Sequence, residues 1–123
     1  MTLRCLIVDD SARFLEAARA FLERGGVRVV GTARSSAQAL ARARETAVDV
    51  ALVDIGLGDE DGFEVARLLA DRVPTVLLIS THAREDFQEL IAASPARGFL
   101  PKSALSARAI REALGDRGPS APA

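Results

Sequence analysis

The chain has 123 residues, enough for one domain and too few for two of ordinary size. Apolar residues make up 49% and charged residues 27%, the balance of a globular protein. The net charge of −1 provides no field of one sign to draw nucleic acid or an anionic membrane surface. Cys5 stands alone, which excludes an internal disulfide and a multi-cysteine zinc site and fits the reducing cytoplasm. The apolar runs are far too short to span a membrane, and the first meets Asp9-Asp10 too early to read as a secretory signal. One count is odd: fifteen of the sixteen basic residues are Arg, and only Lys102 is Lys.

In chain order, Leu3 to Val8 is a short apolar run and predicts a strand. Phe14, Leu15, Ala18, Phe21 and Leu22 then recur at helical spacing, with Ser11 placed to cap the helix and Gly25-Gly26 to end it. The Phe14/Phe21 spacing reads as ordinary core packing. Val27 to Val30 predicts a second strand, with Arg28 breaking the run as on a sheet edge, and Ser35 to Thr46 an Ala-rich helix. Asp49 to Val53 predicts a third strand, followed by a glycine-broken acidic loop and a helix from Gly62 to Asp71. Pro74 to Ile79 predicts the fourth strand, and Arg84 to Ala93 a polar helix. Phe99-Leu100 predicts a short fifth strand, and Ala107 to Leu114 a last amphipathic helix.

Five strands alternating with five helices predict an α/β fold: a flavodoxin-like (βα)5 doubly wound parallel sheet in strand order 2-1-3-4-5. Residues 1–115 form the domain, and residues 116–123, with Gly, Pro and Ser and no apolar period, read as a tail or the start of a linker.

In such a sheet, ligands bind outside the carboxyl ends of the strands. Asp9 and Asp10 follow the first strand, and Asp54 ends the third. Ser80, Thr81 and His82 follow the fourth, and Lys102 follows the fifth. Three carboxylates brought together repel, so either protons or a divalent cation must offset them. An all-oxygen, open-rimmed set favours Mg²⁺. A carboxylate beside such a cation can attack phosphorus, and Asp54, at the tip of the most buried strand, is the best placed to do so. Lys102 adds a mobile positive charge and Ser80 a hydroxyl. Other patterns fail: Asp59-Glu60-Asp61-Gly62 lies too far past its strand for an aspartate-nucleophile phosphatase, and Gly56-Leu57-Gly58 lacks the third glycine of a dinucleotide loop.

These residues resemble those of the receiver domain of two-component response regulators, over about residues 3–115, and the stretch Phe99 to Ser106 is similar to receivers of LuxR-type regulators. The resemblance rests on Leu6-Ile7-Val8-Asp9-Asp10, Val53-Asp54-Ile55-Gly56-Leu57, Gly62, Ser80 and Gly98-Phe99-Leu100-Pro101-Lys102. It implies that Asp54 accepts a phosphoryl group, with Lys102 and Ser80 assisting. It also implies that Mg²⁺ is held by Asp9, Asp10, Asp54 and the main-chain carbonyl of Gly56. Ser80 and Phe99 would be switch residues, and Gly56, Thr81 and His82 would tune rates. Two departures stand out. Gly58 replaces a usual proline, predicting a looser loop, and Lys102 is followed by Ser103 where the family often has a cis proline.

The implied partners are a sensor histidine kinase or phosphotransfer protein, and an output domain or partner protein at the face of the fourth helix, fifth strand and fifth helix, with homodimerisation open. Direct nucleic-acid or membrane binding by this domain is not expected. Two alternatives stay open: the receiver part of a regulator carrying a DNA-binding helix-turn-helix domain, and an interaction module that is never phosphorylated.

Overall fold

Short runs that are apolar at every position can bury both faces of a sheet, and here they build its centre. A computed structural model describes residues 2–115. Strands β1 (Arg4–Val8), β2 (Arg28–Ala33), β3 (Val50–Asp54), β4 (Thr75–Ser80) and β5 (Gly98–Pro101) form one parallel sheet in the order β2-β1-β3-β4-β5. Helices α1 (Ala12–Arg24), α2 (Ser36–Glu45), α3 (Gly62–Ala70), α4 (Gln88–Ala93) and α5 (Ala107–Ala113) cover the two faces. This is the flavodoxin-like arrangement, with β2 on an edge as its broken apolar run implied. The tail expected over residues 116–123 lies outside the described residues.

Alternation along the central strands sorts their side chains into two cores. Cys5, Ile7, Val50, Leu52, Leu77 and Ile79 meet Leu15, Ala18 and Leu22 of α1 and Ala107 and Ile110 of α5. Leu6, Val8, Ala51, Val53, Val76 and Leu78 meet the opposite layer, including Ala39, Ala66, Leu69 and Ile91. Each helix N-terminus except that of α4 has a side-chain cap: Ser11, Ser35, Asp61 and Ser106 accept backbone N–H bonds from Phe14, Gln38, Phe63 and Ala109. Gly26 follows α1 at φ +93°, the turn that Gly25-Gly26 predicted.

Several boundaries and local forms differ from the sequence reading. Strand β2 runs on through Gly31, Thr32 and Ala33, with a register break opposite Cys5/Leu6 that lets it follow β1 past the glycine. Asp49 stops short of β3 because its carboxylate accepts the Arg4 backbone N–H at 2.8 Å and two guanidinium bonds at 3.1 Å. The polar helix read over Arg84 to Ala93 divides into a 3₁₀ turn, Arg84–Phe87, and the six residues of α4, with only Ile91 buried. The loop after β3 is fastened where a looser one was expected. Gly56–Leu57 pairs antiparallel with Glu60–Asp61, and Gly58 at the turn has φ +60°, which proline cannot adopt. Glu60 also accepts the Ser36 backbone N–H at 2.8 Å and its hydroxyl at 2.7 Å, tying this hairpin to the start of α2.

Of the two phenylalanines read as core, Phe14 packs against the layer of α1 and α5 only partly buried, and Phe21 does not pack in it. The buried stripe of α1 is Leu15, Ala18 and Leu22; Phe14 sits half-buried at its rim, and Phe21 is 48% exposed.

Among the described residues no helix is long and apolar enough to cross a membrane.

Candidate functional site

Parallel strands end at the same edge, so residues remote in sequence converge there. Asp54 is the last residue of β3, whose five residues are all buried. Asp9 follows β1 and is 1% exposed; its backbone N–H donates to the Ala33 carbonyl of β2. Asp10, one residue on, is exposed. One carboxylate oxygen from each of Asp9, Asp10 and Asp54 lies within 4.8 Å of the others. Lys102, at the end of β5, brings its Nζ to 2.5 Å from Asp9 Oδ2 and 3.5 Å from Asp54 Oδ1.

The charges do not balance, and Asp54 records the excess. Burial first, and then the Asp9 carboxylate, push its carboxyl from 3.8 up to about 6; Lys102 works in the other direction and Asp10 adds a little more. At neutral pH most of the Asp54 population is nonetheless ionised.

Asp9 leaves one oxygen without a hydrogen bond. Its Oδ1 accepts the Ser11 backbone N–H at 2.9 Å, but its buried Oδ2 has no aligned hydrogen-bond donor. The Lys102 ammonium approaches that oxygen as an ion pair without hydrogen-bond alignment. A buried carboxylate oxygen left this way, beside two further carboxylates, fits a hard divalent ion such as Mg²⁺.

The neighbouring loops fix the rim. Ser80 ends β4 and is buried, and its hydroxyl oxygen accepts the His82 backbone N–H at 3.0 Å. Thr81 and His82 are exposed beside it, and the His82 ring meets Phe87 edge-on at 5.8 Å. Gly56 is exposed, with open space where a side chain would stand. Phe99 is buried in the core layer that includes Ile91 of α4, with the Arg84 guanidinium 5.9 Å above its ring. Gly62 permits the approach of α3: a Cβ there would collide with the Asp54 carbonyl oxygen and stand 2.6 Å from Ile55 Cα. All described peptide bonds are trans, including the one after Lys102.

Asp9, Asp10, Asp54, Gly56, Ser80, Thr81, His82 and Lys102 therefore lie at or just past the strand ends, while Phe99 is buried in the core; three further residues at the site were not expected there. Arg34 donates from Nε and a terminal nitrogen to the Asp10 carbonyl at 3.1 and 2.9 Å, steadying the acidic loop. Glu60 holds the hairpin. Phe14 lies against Lys102, its ring centroid 4.2 Å from Nζ. Arg34 could have been suspected from its place directly after β2, beside the acid-bearing end of β1. Glu60 and Phe14 carry no local signal.

The sequence matches the model of the response regulator receiver domain over residues 5–114. It is 38% identical over 101 residues to a putative transcriptional regulator of Pseudomonas aeruginosa, spanning 80% of this chain and 49% of that protein. It is 33% identical over 92 residues to a protein-glutamate methylesterase/protein-glutamine glutaminase of Archaeoglobus fulgidus, covering 74% of this chain and 26% of the relative. The chain thus spans half or less of the length of these relatives. Among solved structures it resembles the receiver domain of the putative response regulator NarL of Mycobacterium tuberculosis, with TM-score 0.77, 32% identity and 94% of each chain covered. A LuxR-family response regulator of Aurantimonas sp. SI85-9A1 superposes with TM-score 0.81 at 27% identity, covering 95% of this chain and 88% of that one. With the parallel sheet in receiver order and the acidic cluster beside a lysine at its edge, the chain belongs to the family of response regulator receiver domains.

Proposed function

We propose that the domain accepts a phosphoryl group on Asp54, from a sensor histidine kinase or phosphotransfer protein, in a Mg²⁺-dependent reaction in the cytoplasm. The observation that carries this is the convergence of Asp9, Asp10 and Asp54 with one ammonium at the carboxyl edge of a receiver-type sheet. A carboxylate oxygen of Asp54 supplies the electron pair for the new bond to phosphorus. The donor's bond to phosphorus breaks, and the leaving group departs with the electron pair of that broken bond and takes its proton from water.

Asp9, Asp10, Asp54 and the Gly56 carbonyl would hold Mg²⁺, which when bound neutralises negative phosphoryl oxygens. Lys102 supplies a compact, movable positive charge for the same oxygens, a task for which arginine's rigid fork is less suited. Ser80 donates its hydroxyl to the phosphoryl group once its oxygen leaves the His82 N–H. Phe99 then follows Ser80, and the α4–β5–α5 face changes its affinity for an output partner. The shallow anchoring of α4 by Ile91 supports such a movement. Thr81, His82 and Gly56 flank the route to phosphorus and tune the rates of transfer and hydrolysis.

Intact mass after incubation with a small phosphodonor tests this: one phosphoryl mass is added with Mg²⁺, none without it, and none in Asp54→Asn. Label that persists on the Asn variant, or a wild type that is never labelled, refutes the reading; the second result favours an unphosphorylated interaction module. The Pseudomonas relative, named a putative transcriptional regulator and about twice as long as the matched region, supports a second reading of the whole protein: a receiver joined to a DNA-binding output domain. A reading frame that continues into a helix-turn-helix domain would decide for it.

A further inference from the structure

We propose that Phe14 is a positioning residue for Lys102: its ring face seats the ammonium between Asp9 and Asp54, through a closed circuit of contacts that begins and ends at Asp9. The proposal rests on the phosphoacceptor reading of Asp54 and adds a residue to that site.

The circuit can be followed atom by atom. Asp9 Oδ1 accepts the Ser11 N–H at 2.9 Å. Ser11 Oγ caps α1 by accepting the Phe14 N–H at 3.1 Å. The Phe14 ring centroid lies 4.2 Å from Lys102 Nζ, and Nζ returns to Asp9 Oδ2 at 2.5 Å. The cap therefore sets the ring's position relative to the same carboxylate that the ammonium touches.

Lysine needs such a seat. It ends a flexible four-carbon stem, and here it leaves the chain at a short 3₁₀ turn, Lys102–Ala104, that has no side-chain cap. Two carboxylates compete for it, with Asp9 the nearer. A site that needs Asp9 for a cation must keep the ammonium close to Asp54 without spending a further negative charge. An aromatic face does this: its quadrupole attracts a cation, yet it accepts no proton and does not compete for phosphoryl oxygens. The Lys102 side chain is 17% exposed, so the contact is largely shielded from water and stands above the weakest surface examples.

The test exploits the composition, because Lys102 is the only lysine. Lysine labelled with ¹³C and ¹⁵N gives one side-chain NMR signal set, assigned without ambiguity. In the wild type its Cε protons carry the upfield shift of a ring face. Phe14→Leu, which keeps an apolar side chain, loses that shift, and Phe14→Tyr, which keeps the ring, retains it. With saturating Mg²⁺ and a small phosphodonor, Phe14→Leu slows Asp54 phosphorylation about 2- to 30-fold, the range spanned by cation–π contacts, and Phe14→Tyr restores the rate. Far-UV circular dichroism checks that each variant is folded. A lysine signal indifferent to Phe14→Leu, an unchanged rate despite the lost shift, or a failure of Phe14→Tyr to restore the rate overturns the positioning role. A wild type that takes up no phosphoryl group, whatever its lysine signal, overturns instead the phosphoacceptor reading beneath it.

Discussion

Replacing Asp54 by Asn should stabilise the metal-free domain at neutral pH, even though it destroys the proposed phosphoacceptor. In the fold, burial and the Asp9 carboxylate raise the Asp54 carboxyl from 3.8 to about 6. Between those values the native state holds a proton that the unfolded chain releases, so stability falls as pH rises from about 4 to 6 and stays reduced above it. At 1.36 kcal/mol for each pH unit, the full penalty is ~3 kcal/mol. The pocket mouth opens to solvent beside the exposed Asp10, and screening there reduces this to ~1–2 kcal/mol. Urea denaturation of wild type and Asp54→Asn from pH 4.5 to 8, with chelator present, measures it directly. The two should nearly coincide at the acid end and diverge by ~1–2 kcal/mol at pH 7.5, a Tm difference of roughly 3–10 °C. Adding Mg²⁺ should narrow the gap by stabilising the wild type, by ~1.4 kcal/mol at ten times its dissociation constant. An Asn variant no more stable than wild type at pH 7.5 would show that the carboxylates are not in conflict, and the electrostatic argument for a cation would fail.

Two further predictions follow from backbone fit and burial. Gly62→Ala should cost about 3 kcal/mol in urea denaturation, because the new Cβ meets main-chain atoms of Asp54 and Ile55 that cannot move aside as a flexible side chain would. It should also weaken Mg²⁺ binding, since Asp54 and Ile55 must shift. Cys5 is fully buried, and burial pushes its thiol up to about 12, so it should resist alkylation at pH 8 in the folded protein and react promptly in denaturant. Rapid native labelling would contradict the packing of β1 between two helical layers.

The order of elements was legible because each signal is local. Leu6-Ile7-Val8, Val50 to Val53 and Val76 to Ile79 are apolar at every position, and only a strand buried on both faces makes use of that. Ser11 lies just before a helical pattern, where a hydroxyl can take an orphan N–H, whereas Ser35, read as the first helical residue, proves to be the cap of α2. Local signals were weaker where competing preferences meet. The apolar run Val27 to Val30 stops before Gly31, yet β2 continues through it, because pairing with β1 outweighs the glycine's intrinsic cost. The segment Arg84 to Ala93 lacks an apolar stripe long enough to hold one regular helix, and it divides accordingly.

By itself, then, the sequence determined which residues could do chemistry and that a parallel sheet would gather them. Asp9, Asp10, Asp54, Ser80 and Lys102 each follow or end a strand, and parallel strands share one carboxyl edge. Only the tertiary structure decided how those groups bear on one another. The raised Asp54 carboxyl, the Lys102 ammonium against Asp9, the Phe14 ring beneath Lys102 and the Glu60 clasp on Ser36 all arise between separate elements. Their energies depend on ångström separations and on exclusion of water, and no spacing along the chain encodes either.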